Sequence, residues 1–338
     1  MAVTIREVAA AAGVSVATVS RALHGMSVIS QKTRDHVAAV AQELGYELPT
    51  RPDPTVRDRR VAIVLPFLGR WYFAKALEAI ERIVREHGYE AVVLRPLDST
   101  GQPMTVADHL EHFSVKGVII ISQPPSDSDI AALEKLKLPT ILIDIADQRF
   151  PHVVIDDVQV GLLATRHLIS QGHSKIALLS GDPHDPKNFS TPNDRRAGYL
   201  RAMSQAGLEI RPDFQIFADF TARGADAVVT RLLVQEDIPT AIFAASDEMA
   251  MGAMGAARRL GLKVPEDLSI VGVDDHDLAE TVGLTTVAQP IETMAEMAAW
   301  QLVSQMGNEA KQPSLQKHEM PVTLVVRTST QTLSSAAR

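Results

Sequence analysis

Residues 4–25 read TIREVAAAAGVSVATVSRALHG. Thr4-Ile5-Arg6-Glu7 has the form of a capping box, in which the Thr4 hydroxyl and the Glu7 carboxylate each satisfy an orphan backbone donor of a starting helix. The spacing predicts a first helix over Ile5 to Ala12, broken by Gly13. A second follows over Val16 to Leu23, with Ser15 as its N-cap and Gly25 past its end. A third begins at Ser30 and carries Val37, Val40, Ala41 and Leu44 at helical spacing as far as Gly45-Tyr46. Val19 and Leu23 face inward with Val8 and Val37, which leaves Val16, Ala17, Ser20, Arg21 and His24 outside. Two short helices about a tight glycine turn form a helix-turn-helix, a unit that lays its second helix in the major groove of double-stranded DNA. On the outer side Arg21 suits a guanine edge, Val16 and Ala17 suit thymine methyls, and Thr18 and Ser20 suit phosphates. Thr4, Ser15 and His24 complete the candidate DNA-contacting set within residues 1–47. A three-helix bundle with a merely solvated face is the alternative these residues leave open.

Charge is distributed in the same sense. The 338 residues carry a net charge of -8, but residues 1–60 hold eight Lys/Arg against six Asp/Glu, while the rest hold 25 against 35. A slightly basic module on an acidic body suits contact with phosphates at one end only. No stretch approaches the ~20 apolar residues of a membrane span, and the first residues lack a secretory pattern, so the cytoplasm is the expected compartment, with no membrane partner. The absence of cysteine rules out disulfides and thiolate chemistry.

From Val61 onward apolar β-branched runs alternate with amphipathic helical stretches: RVAIVLP, EAVVLR, GVIIIS, PTILID, HVVIDD, KIALLSG, QIFAD, TAIFAAS and SIVGVDD. Continuous rather than alternating hydrophobicity implies strands buried on both faces, hence parallel α/β sheets wrapped by helices. About ten strands are too many for one sheet of this length, so two doubly wound lobes are expected within residues 61–330. The first lobe takes in about 61–158 and a helix over 291–319. The second takes in about 159–289 and a strand over 322–329. Three crossovers between lobes then act as a hinge.

Ligands of open α/β sheets sit beyond the carboxyl ends of the strands. Those ends carry Trp71 and Tyr72, Asp144, Asp219 with Phe220, Ser246 with Asp247, and Asp274 with Asp275. Strand-end carboxylates also cap the following helix, which accounts for Asp247. A cap needs no aromatic partner, however, and three of only 15 aromatic residues fall together at Trp71-Tyr72-Phe73. Such clustering favours a binding cleft. Phe189 and Thr191, in the proline-rich loop GDPHDPKNFSTPND, are further candidates.

The run TIREVAAAAGVSVATVSRALHG with SQKTRDHVAAVAQELGY resembles the headpiece of the LacI/GalR family of bacterial regulators. The resemblance extends through HLISQGHSKIALLSG, NDRRAGYLRAM, AASDEMAMGAM, PEDLSIVGVDD and LTTVAQP to a sensor related to periplasmic sugar-binding proteins. It implies a ligand-responsive DNA-binding regulator, most simply a repressor, acting as a homodimer on two operator half-sites. It implies that Val16, Ala17 and Arg21 enter the major groove, that Arg195 grips ligand oxygens and that Asp274 accepts from a ligand hydroxyl. Asp144, Ser246 and Gln289 match other cleft positions of the family, and Phe220 matches a stacking aromatic. A sugar or sugar derivative is the expected effector. A purine or nucleoside, held between Trp71 and Phe220, stays open.

The linker 48–60 departs from the family, which places a hinge helix with a minor-groove leucine there. ELPTRPDPTVRDRR has no such leucine, and its prolines interrupt any continuous helix. Asp53-Pro54-Thr55-Val56-Arg57 can form one capped turn with Val56 as a smaller wedge. Two other classes compete. An enzyme reading would make metal ligands of Asp274-Asp275-His276-Asp277 and of His184-Asp185, yet no paired histidine motif, nucleophile elbow or phosphate loop accompanies them. Gly252 and Gly255 lie inside a helix and make no dinucleotide fingerprint. A transport-type binding protein needs a leader and no headpiece, the reverse of this sequence. No enzyme activity, metal or cofactor is therefore expected.

Overall fold

The computed structural model describes residues 3–23, 30–46, 59–95, 105–106, 110, 114–184, 189–307 and 317–333. His24 and the whole of 47–58, including Val56, lie outside the described residues, so the structure adds nothing on those positions. The chain divides into two units, Met1–Asp58 and Arg59–Arg338.

In the first unit α1 (Ile5–Ala11), α2 (Val16–Leu23) and α3 (Gln31–Glu43) pack on one apolar centre. Glu7 accepts hydrogen bonds from the Thr4 backbone N–H at 2.7 Å and the Thr4 hydroxyl at 2.8 Å, which pins the start of α1. Gly13 turns the chain at a φ of +62°. The Ser15 hydroxyl then accepts from the Thr18 N–H at 3.1 Å, and Ser30 caps α3 through Thr33. Val8, Val19 and Val37 are fully buried with Ala9, Ala12, Ala22 and Ala41 around them, and Leu23 packs at their edge. Val16 is exposed at the start of α2, on which Ala17, Ser20 and Arg21 also lie.

Among the described residues the second unit holds two six-stranded sheets. In the first, β1 (Arg60–Val64), β2 (Glu90–Leu94), β3 (Gly117–Ile121), β4 (Thr140–Ile143), β5 (His152–Ile155) and β11 (Lys317–Met320) run in the order β11-β5-β4-β3-β1-β2. All its pairs are parallel. The second contains β6 (Ile176–Gly181), β7 (Gln215–Ala218), β8 (Ala241–Ala244), β9 (Ser269–Asp274), β10 (Thr285–Ala288) and β12 (Thr323–Val325), in the order β12-β10-β9-β8-β6-β7. Only β12 is antiparallel. Burial explains the continuous apolar runs: every residue of β3, β4, β5, β6, β8 and β9 is buried, whereas the edge strands β2 and β7 are not.

Helices α4 (Trp71–Glu86), α5 (Asp127–Leu136) and α10 (Ile291–Met306) flank the first sheet. Helices α6 (Asp157–Ser170), α7 (Thr191–Gln205), α8 (Ala222–Leu233) and α9 (Asp247–Arg259) flank the second. The chain passes between lobes after β5, after β10 and between β11 and β12. Two expectations need correction. The helix expected over 291–319 ends at Met306, and Lys317-His318-Glu319-Met320 is an edge strand whose charged alternation hid it from a search for apolar runs. The strand expected over 322–329 is confined to Thr323–Val325; beyond it the Ser329 carbonyl accepts from the Ile270 N–H at 2.8 Å without extending the ladder. Strand β10 does not read as an apolar run because Thr285 and Thr286 bear hydroxyls, yet both are fully buried and hydrogen-bonded.

One close approach sets the geometry of the second lobe. A Cβ at Gly161 of α6 would fall 2.1 Å from the Arg195 carbonyl oxygen, and one at Gly198 of α7 would fall 2.2 Å from the Val158 carbonyl oxygen. The two helices therefore meet backbone to backbone, where neither neighbour can yield as a flexible side chain would. Gly161→Ala should destabilise the sensor by about 1–3 kcal/mol or more through overpacking. Thermal unfolding against the wild type measures it, and an unchanged midpoint would refute the contact.

Candidate ligand-binding cleft

The strands of both sheets end toward a shared cleft enclosing about 650 Å³, its open mouth included. Phe67 and Arg70 come from the β1–α4 connection, Tyr72 and Phe73 from the first turn of α4, Ser122 from the end of β3 and Asp144 from the end of β4. Asp157 opens α6, Phe189 precedes α7, and Thr191, Pro192 and Arg195 lie on its first turns. Phe220 follows β7, Ser246 and Glu248 start α9, Asp274 ends β9 and Gln289 follows β10. Ser122, Asp144, Phe220 and Asp274 have φ of +61°, +60°, +58° and +121°, four of the six positive-φ non-glycine residues among those described. Such conformations cost of order 1–3 kcal/mol each and persist only where surrounding packing imposes them. Here they bend the chain just where strands end.

Two carboxyl groups stand on opposite lobes. Asp144 accepts from the Tyr72 phenol and, at 3.0 Å, from the Ser122 hydroxyl. Burial pushes its pKa up to about 6 against the pull of those donors. Asp274 accepts from the Gln289 side-chain amide, and burial raises it to about 7 despite the nearby Arg195. Arg195 is itself buried, with Nε 2.7 Å from Asp157 Oδ1 and Nη1 2.5 Å from the Ala245 carbonyl oxygen. At the mouth the Arg70 guanidinium lies 3.5 Å above the centre of the Phe67 ring and donates to the Asp219 carbonyl at 2.6 Å. The phenylalanines form a tilted group, Phe67 standing 5.8 Å from Phe73 and 6.2 Å from Phe189. A cleft of this make-up offers hydroxyl acceptors, a guanidinium and apolar ring faces, with water held off by burial.

Of the positions singled out from sequence, the structure brings Tyr72, Asp144, Phe189, Thr191, Arg195, Phe220, Ser246, Asp274 and Gln289 together. Trp71 does not line the cleft. Its Nε1 donates to Asp277 Oδ2 at 2.9 Å and its ring lies 4.6 Å from His276, on the opposite lobe. The reason is helical: consecutive residues point about 100° apart, so three adjacent aromatics cannot share one face. Asp247 is not the cap of α9, since the Ser246 hydroxyl accepts from the Met249 N–H at 3.3 Å. The buried Asp247 carboxylate instead accepts from the Thr286 hydroxyl at 2.7 Å and the His276 N–H at 2.8 Å. The carboxylates of the Asp274–Asp277 loop diverge, Asp275 pairing with Arg327 at 2.7 Å while Asp277 meets Trp71 and Lys75. The sequence reading missed Phe67, Arg70, Ser122, Asp157, Pro192 and Glu248. Ser122 and Asp157 obey the same strand-end rule and could have been found by it. Glu248, one residue further into a helix, gave no signal.

Comparison with known proteins places these units. Residues 4–48 match the model for bacterial regulatory proteins of the lacI family, and residues 165–330 match a periplasmic binding protein-like domain. The chain is 34% identical to the HTH-type transcriptional regulator DegA of Bacillus subtilis (strain 168), over 99% of this chain and all of that protein. It is similar to the transcriptional regulator CelR in its complex with cellobiose, with a TM-score of 0.69 and 29% identity over 97% of this chain and 99% of the other. It is also similar to the lac repressor dimer bound to operator and the anti-inducer ONPF, with a TM-score of 0.68 and 27% identity over 98% and 100% of the two chains.

The raised pKa of Asp274 has a measurable consequence. A carboxyl that holds its proton more tightly folded than unfolded contributes stability at low pH that is lost as pH rises through about 7. Asp274→Asn cannot ionise, so its thermal midpoint should rise relative to the wild type as pH goes from 4 to 7.5. A difference that does not change with pH would refute the assignment.

Proposed function

The chain belongs to the lacI family of bacterial regulatory proteins, and from that premise we propose that it is a cytoplasmic homodimeric repressor whose operator affinity changes when a sugar or sugar derivative binds between the sensor lobes. The pairing of Asp144 with Asp274 from opposite lobes carries this reading. A polyol with several hydroxyls satisfies both acceptors at once, while Arg195 bonds further oxygens and the Phe220 ring covers the weakly apolar face of the sugar. Tyr72, Phe189, Thr191, Ser246 and Gln289 complete the ligand set. The nucleobase alternative loses its proposed sandwich because Trp71 stands outside the cleft. The similar chain that carries cellobiose, a sugar, is in keeping with this choice.

On DNA, Val16, Ala17 and Arg21 of α2 read the major groove, with Thr4, Ser15, Thr18, Ser20 and His24 on the backbone and Val56 as a small wedge at the operator centre. One headpiece reads one half-site, so two-fold pairing follows. No helix among the described residues is long and apolar enough to cross a membrane. A ligand that favours one lobe arrangement shifts the dimer between states of different operator affinity.

Two measurements test the proposal. Arg21→Ala should weaken operator binding by about 1–3 kcal/mol and relax specificity at one base pair. A thermal-shift screen of sugars and nucleosides should give a hit whose shift disappears in Arg195→Ala and Asp274→Ala, each compared with its own ligand-free midpoint. A ligand insensitive to both changes would place the site elsewhere.

A further inference from the structure

Charge in the cleft is unbalanced, and what is positive is already engaged. Deep in the cleft Asp144, Asp157 and Asp274 surround Arg195, whose Nε and Nη1 are committed to Asp157 and to the Ala245 carbonyl. At the mouth Arg70 lies on Phe67, donates to the Asp219 carbonyl and acts on Glu248, the carboxylate that α9 presents to the same cleft. Among the described residues the lining therefore carries four carboxyl groups against two guanidiniums. Buried surroundings make this imbalance matter, because charges several ångströms apart interact far more strongly there than in water.

We propose that the cleft is a filter against anions: its effector is an uncharged polyol, and Glu248 determines this specificity by offsetting Arg70, the cation at the mouth that would otherwise hold a phosphate or carboxylate. The proposal rests on the reading of the cleft as the effector site and adds a rule about which polyols it takes. A regulator built this way distinguishes a free sugar or nucleoside from its phosphorylated or oxidised derivative. It reports the compound that a phosphorylating or oxidising step consumes, not the product.

Proton linkage gives the filter a second signature. Asp144 faces Tyr72, Ser122, Asp157 and Arg195, while Asp274 faces Gln289, Arg195, Glu248 and Asp247. Ligand hydroxyls that donate to these two carboxylates favour their ionised forms, so an uncharged ligand releases protons on binding near pH 6.5. An added negative charge works the other way and draws protons in.

The experiment is calorimetry on the full chain with matched pairs: ribose and ribose 5-phosphate, glucose with glucose 6-phosphate and glucuronate, adenosine and AMP. Each is measured at pH 6.5 in two buffers of different ionisation enthalpy. The expected result is that the uncharged member of a pair binds at least about 100-fold more tightly than its anion, with proton release. Glu248→Gln, which removes charge and little volume, should narrow that ratio about tenfold, and Glu248→Asp should restore it; thermal midpoints show that both variants are folded. Equal affinity for an anion, proton uptake by the uncharged ligand, or a ratio unchanged in Glu248→Gln would each overturn the filter. Failure of every compound to bind would instead overturn the reading of the cleft as a sugar site, on which the filter rests.

Discussion

The buried ion pair between Arg195 and Asp157 is the interaction on which the sensor's geometry depends. A guanidinium only 5% exposed is costly to desolvate and is tolerated here because its hydrogen bonds are made, one to Asp157 at the start of α6 and one to the carbonyl that ends β8. That pair can form only because α6 and α7 touch along Gly161 and Gly198. The same helix contact thus fixes the first turn of α7, which carries Thr191 and Pro192, and the chain where it passes from the first lobe into α6. Removing Arg195 would leave Asp157, Asp144 and Asp274 with no guanidinium among them, a loss of the kind that costs about 3–5 kcal/mol when a buried pair is broken.

From this pair outward, backbone turns at the strand ends place several of the side chains that line the cleft. Ser122, Asp144, Phe220 and Asp274 each leave a strand in the left-handed region, so their side chains turn into the cleft at the strand ends instead of continuing the strand's alternation between the two faces of its sheet. Gly181 makes room for one of them, since a Cβ there would lie 2.1 Å from the Phe220 ring. Strain and close approach are thereby concentrated at one end of both sheets, the end where the order of strands reverses around β1 and β6.

Much of this was legible in the sequence because its causes are local. Buried parallel strands have to be apolar on both faces, so GVIIIS, TAIFAAS and SIVGVDD announce themselves. Residues just past such runs fall at strand ends whatever the tertiary detail, and that rule gathers Asp144, Phe220, Ser246 and Asp274. What escaped depends on partners far away in the chain. Lys317–Met320 is a strand only because β5 offers an open edge, and Thr285–Ala288 tolerates hydroxyls in the core only because Asp247 and the Arg327 N–H meet them. Trp71 and Tyr72 are adjacent in sequence and diverge in space, a distinction that periodicity can raise but cannot assign without knowing which lobe each residue meets.

That divergence gives the first turn of α4 a double attachment. Tyr72 holds Asp144 inside the cleft, while Arg70, Trp71 and Lys75 reach the opposite lobe at the Asp219 carbonyl and at Asp277. A helical turn is stiff, so its residues cannot be displaced one at a time. Any ligand that moves Tyr72 must also move the group that ties the lobes along the outer side of the cleft, and any change in lobe angle must disturb the phenol on Asp144. Contacts inside the cleft and contacts across the lobes therefore meet in this one turn, without a relay of intermediate residues. Asp277, which takes both Trp71 and Lys75, lies outside the cleft lining, so the lobes are fastened here by a residue that is not itself part of that lining.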